Sequence, residues 1–160
     1  MKKLYFFLAT LSLGVLQVSL LDYFKIFNVK PDLLLISAVI ASLIFKFPWA
    51  ILLSIFAGLF KDAFSIGAFG INTLLFSLWC FLIARLTRKL SLEDDLMRIA
   101  LIFLIALIHH IIIGLLFLPL GKSIALGIFM RIIIIESIYT AAVSPLIFKM
   151  LKFIHVEFES

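Results

Sequence analysis

The side chains in this sequence that could do chemistry are few, and each lies inside or beside an apolar run. His109 and His110 sit about 12 residues into one such run, and Glu136 about 13 residues into the next. Two neighbouring helices would bring Glu136 against one of the imidazoles. Only one can serve easily, because adjacent residues on a helix point about 100° apart. A buried His–Glu pair can hold two helices together or pass a proton. A proton relay needs a chain of such groups, however, and here there is one cluster, so the expected role is structural. Contacts of this kind average about 0.6 kcal/mol between membrane helices. The His-His dipeptide is not a metal motif, since helical ligands normally sit at i and i+4. No phosphate-cradling Gly loop and no nucleophile–base arrangement occurs, and no cofactor is implied.

A second group lies in "GLFKDAFSIGAFGIN", Gly58 to Asn72. Counting back from Asp62 in steps of four gives Gly58, Ser54 and Ala50, one stripe of a helix. Small residues at that spacing let another helix backbone approach closely. Asp62 is expected to end this protein-facing stripe, as a site carboxylate or as a helix-end group holding the following loop. Lys61, turned about 100° away, is expected to reach the headgroups. Gly67 and Gly70 permit a tight re-entry into the next helix, where Asn72 can satisfy freed backbone groups. Arg131 is too far around its helix from Glu136 for a local pair. It is expected to reach toward Asp22, Asp32 or Asp62, lining an outward cavity with Asp62 and Asn72, or to act as an interface anchor.

The elements that position these residues follow from composition. Of 160 residues, 65% are apolar and 14% charged, against roughly 45–50% and 25% in soluble domains. Water could not hide so much apolar surface, so lipid is the expected solvent. The 18 Phe residues read as lipid-facing and inter-helix filling, whereas Tyr5 and Tyr23 bracket the first run as interface markers. The single cysteine, Cys80, excludes an internal disulfide and reads as a small buried hydrophobe. The net charge of +5 is spread over the flanks of apolar runs, which argues for membrane topology and against nucleic acid.

Six apolar runs cover about 4–21, 32–47, 48–64, 70–86, 97–118 and 123–148 in one transmembrane domain, 1–160. Met1-Lys2-Lys3 opens like a signal peptide, but no small-x-small cleavage site follows, so the first run is expected to be a retained helix. The short second and third runs meet at Lys46-Phe47-Pro48. Pro48 suits a first helical turn, and a tight hairpin is expected there, with a re-entrant pair as the alternative. One side collects Lys2, Lys3, Lys46, Arg85, Arg88, Lys89, Arg98, Lys149 and Lys152. The other collects Lys25, Lys30, Lys61 and Lys122. The bias predicts both termini inside. In "RLTRKLSLEDDLMR", Ser91 and Asp94 resemble a helix-start box behind a basic flank.

Gln17, "PDLLL" at the start of the second run, and "SIFAGLFKDAFSIGAFGIN" resemble the rod shape-determining MreD family. The match covers roughly residues 17–88, and residues 96–160 are similar in hydropathy. The resemblance implies an all-α polytopic bundle of six transmembrane helices, related in fold to the substrate-binding subunits of energy-coupling-factor transporters. It implies a non-enzymatic inner-membrane scaffold of the bacterial cell-elongation machinery for peptidoglycan synthesis. The implied partner is MreC, a single-span periplasmic protein, working with MreB, RodA and a class B penicillin-binding protein. The alternatives are a vitamin-transporter subunit with an outward cavity, and a small proton-coupled carrier built on Glu136 and His109.

Overall fold

The computed structural model describes residues 2–19, 23, 29–65, 69–87, 94–117 and 126–153. Among the described residues there are six α-helices and no strand: α1 Lys2–Ser19, α2 Leu33–Ile44, α3 Phe47–Ala63, α4 Ile71–Leu86, α5 Asp95–Phe117 and α6 Leu126–Phe153. Their boundaries have local causes. Asp32 caps α2 through its own carboxylate. Pro48 lies in the first turn of α3, where a missing N–H costs nothing. Gly70 starts α4 with φ of 99°, a left-handed conformation that glycine adopts freely.

The sixth helix runs on to Phe153, past the expected end at about 148, although Pro145 lies inside it. Proline cannot donate to Ala141, four residues back. Ser144 Oγ donates to that carbonyl instead at 2.7 Å, which leaves the helix continuous.

The 12-residue α2 is the axis of the bundle. It packs against each of the other five helices. Every residue from Leu33 to Ser42 is buried, the pattern of a helix that is apolar all round. Around it, Phe6 and Leu13 of α1, Leu53 and Ala57 of α3, Phe76 and Ile83 of α4, Ile102 and Ala106 of α5 and Ile147 of α6 complete one core.

The outer faces are apolar too. Leu52, Ile55 and Leu59 of α3, and Leu74, Leu78 and Phe81 of α4, form exposed helical stripes. Leu104 and Ile108 of α5 and Ile134 and Ile138 of α6 do the same. Such faces are stable against lipid and not against water. Two helices, α5 and α6, are long and apolar enough to cross a membrane. At ~1.5 Å per residue, α2 rises only about 18 Å.

The small-residue stripe is inside. Ala50, Ser54, Gly58 and Asp62 are all buried. A Cβ added to Gly58 would lie 2.5 Å from Thr73 Cα and 2.9 Å from Thr73 N, so backbone meets backbone there. Gly67 and Ser91 lie outside the described residues, as does the loop that would join Ser91 to α5.

Candidate functional site

The start of α2 sets up the site. The amides of a first helical turn have no partners within their own helix. Asp32 Oδ1 accepts from Leu35 N at 3.1 Å, and Gln17 Oε1, from α1, accepts from Leu34 N at 3.0 Å. Gln17 then turns its amide nitrogen back to Asp32 Oδ1 at 3.3 Å. Two side chains thus share the capping of α2 and tie it to α1.

The other carboxylate oxygen of Asp32 pairs with Lys61 Nζ of α3. Asp32 is 1% exposed. A carboxylate so buried is tolerable only when paired and hydrogen-bonded. The Asp32 backbone N–H donates to Thr140 Oγ1 of α6 at 3.1 Å, which adds a third helix to the cap.

Lys61 Nζ also lies 3.4 Å from His109 Nε2 and over the Phe76 ring. On the far side of that imidazole, Trp79 Nε1 of α4 donates to His109 Nδ1 at 3.3 Å. Indole N–H is a donor only, so Nδ1 accepts and a neutral ring carries its proton on Nε2. Two donors then face each other between Lys61 and His109, and one ammonium hydrogen is given to Asp32. Next to it, His110 Nε2 lies 3.0 Å from Glu136 Oε1 and 4.0 Å from Asp32 Oδ2. Neither His110 ring nitrogen makes a well-aligned hydrogen bond among the described residues. Gln17, Asp32, Lys61, Trp79, the two histidines, Glu136 and Thr140 form a single polar node to which all six helices contribute.

Asp62 does separate work. Its Oδ1 accepts from Asn72 N at 3.0 Å and Asn72 Nδ2 at 2.8 Å. Its Oδ2 accepts from Thr73 N at 2.9 Å and Thr73 Oγ1 at 2.6 Å. Gly70 has no side chain to cap α4, so the carboxylate at the end of α3 caps it from outside. The macrodipole of α4 favours a negative charge at that place.

Glu136 meets His110, one of the two histidines named for it, while His109 turns to Trp79 and Lys61. Lys61 does not reach outward: its side chain is 17% exposed and it points to Asp32, because an otherwise unpaired buried carboxylate outweighs hydration of one ammonium. Arg131 is on an exposed face of α6. The carboxylates expected for it, Asp32 and Asp62, are engaged by Lys61 and by the start of α4, and Asp22 lies outside the described residues.

Gln17, Asp32, Lys61, Trp79 and Thr140 join the site without being expected there from spacing. A glutamine in an apolar helix and a Pro-Asp pair before another are the signals that point to Gln17 and Asp32, since each demands a polar partner, and no local signal points to the other three. Among the described residues, no group of three or more His, Cys, Asp or Glu side chains is arranged to hold a metal ion.

The family model for MreD, the rod shape-determining protein, matches residues 1–154. Searches of curated proteins and of solved structures returned no match.

Proposed function

The chain belongs to the MreD family, a membrane family with a role in rod shape determination, and from that premise we propose that it is a non-enzymatic scaffold subunit of the cell-elongation machinery. The family is functionally linked to the MreC and MreB shape machinery and is not a known enzyme family. In this reading the chain is a multi-pass protein of the cytoplasmic membrane with both termini inside. It binds an MreC-like single-span partner and works beside MreB, RodA and a class B penicillin-binding protein in peptidoglycan synthesis.

One observation carries the reading. The buried opposite charges Asp32 and Lys61 are spent on each other, inside a polar node that draws on all six helices. Asp32 Oδ1 is used on Leu35 and Gln17, and its Oδ2 on Lys61. Such an arrangement holds a bundle in a single packing. It leaves the apolar outer stripes of α3 to α6 as the surfaces that meet lipid and partner helices.

Removing the chain from cells tests the reading. Rounded cells with disorganised wall synthesis, and a single-span MreC-like protein co-purifying with the wild type, are the expected results. Normal cell shape with selective loss of one nutrient's uptake would replace the scaffold with a substrate-binding transporter subunit. An ATPase and a coupling membrane subunit would then co-purify instead.

A further inference from the structure

At the opposite end of the bundle from the Asp62 cap, the start of α3 and the end of α4 enclose an open groove of about 380 Å³. Phe47, Phe81, Ala84 and Arg85 line it. The Phe47 and Phe81 rings meet edge to face, 6.2 Å between centroids, and both stay exposed. Arg85 is exposed and has no carboxylate partner among the described residues. Lys46, immediately before Phe47, is also exposed, and its side chain makes no capping bond to α3. The positive end of α3, which begins at Phe47, therefore lies at the groove that Arg85 lines, with Lys46 next to it in the chain. Close by in the chain, Lys3 sits over the Trp49 ring at 3.9 Å, an amphipathic pair of the sort found at a membrane–water interface.

We propose that this groove binds an anionic phospholipid, one acyl chain lying against Phe47 and Phe81 and the phosphate on Arg85 and Lys46. The site pairs an apolar trough with a cationic mouth, which matches a lipid that is apolar along its length and negative at its head. Arg85 supplies a planar fork of donors suited to phosphate oxygens, and Lys46 a point charge. Basic pockets between membrane helices take anionic headgroups for the same reason, and each basic residue near the surface contributes about a fivefold gain in binding. A free phosphate would use the mouth and leave the trough empty. A helix from a partner protein would use the trough without needing the phosphate contacts.

The test is native mass spectrometry of the full chain in detergent micelles, with dioleoyl phosphatidylglycerol and dioleoyl phosphatidylcholine as probes. The wild type should retain phosphatidylglycerol in preference to phosphatidylcholine. Arg85→Gln should reduce that retention about fivefold. Ala84→Phe, which fills the trough and keeps the charges, should abolish it. Lys149→Gln, an exposed charge on α6, should change nothing. Equal retention of the two lipids would overturn the proposal, as would equal effects of Arg85→Gln and Lys149→Gln. Displacement by soluble glycerol phosphate would assign the mouth to a free phosphate, and unchanged retention in Ala84→Phe would show that the trough is not used. Arg85 lies outside the core, so thermal unfolding of Arg85→Gln should match the wild type, keeping loss of lipid distinct from loss of fold.

Discussion

Asp32 and Lys61 are the residues on which the node depends most, and their energetics make a signed prediction. Lys61→Met leaves a buried carboxylate without its cation, a loss of about 3–5 kcal/mol. Asparagine is a good helix cap, so Asp32→Asn added to Lys61→Met removes the orphaned charge while keeping the bond to Leu35. The double variant should therefore unfold closer to the wild type than Lys61→Met alone, measured by thermal denaturation in micelles. An additive loss would mean that the ion pair is not coupled. At Asp62, both oxygens accept two hydrogen bonds each. An amide can accept at one of its two ends only: with its nitrogen in place of Oδ2, Asp62→Asn sets a donor against Thr73 N–H, while the Thr73 hydroxyl can turn to accept. About 1–3 kcal/mol should be lost in the same assay. Helical spacing places Asp62 on the protein-facing stripe, where it is buried. The same spacing turns Lys61 elsewhere, and no local rule reveals that Asp32, across the bundle, needs a cation.

At the scale of elements, the contact of α3 with the start of α4 brings backbone against backbone. A side chain at Gly58 would collide with the backbone of Thr73, and backbone cannot swing aside as a flexible side chain can. Leu59 is 40% exposed on the outer stripe of the same helix. Gly58→Leu should reduce the yield of folded protein severely, whereas Leu59→Phe should be nearly silent. Similar yields of the two would remove the close approach from the account. The spacing of Ala50, Ser54 and Gly58 makes this contact legible in the sequence, because small residues four apart share one helix face. The reach of α6 is not legible there, because hydropathy falls at Lys149 while helical hydrogen bonding does not. The serine that repairs the Pro145 gap is visible only once its hydroxyl is placed beside Ala141. The unusual shortness of α2 is legible, but its position at the centre, touching every other helix, comes from tertiary packing alone.

For the whole molecule, hydropathy alone indicates the all-helical class and the number of helices among the described residues, because lipid forces each apolar run to satisfy its own backbone. Orientation is open to direct test. Cys80 is 1% exposed within α4, so a membrane-impermeant maleimide should not label it in intact cells or inside-out vesicles. Lys122→Cys and Arg88→Cys should label from opposite faces, and labelling from the same face would contradict the arrangement proposed. The node is the least legible feature, since its members come from all six helices and its partners are far apart in sequence except where Asp32 caps its own helix. In the scaffold reading proposed above, the node holds the bundle and carries out no chemistry. The direct measurement is the shape of cells whose only copy of this chain carries Asp32→Asn with Lys61→Met, at membrane levels equal to the wild type. Rods are expected, with the MreC-like partner co-purifying at the wild-type yield. Round cells carrying that variant, folded and at full level, would contradict it, because the lost charges would then be needed for more than holding the helices together.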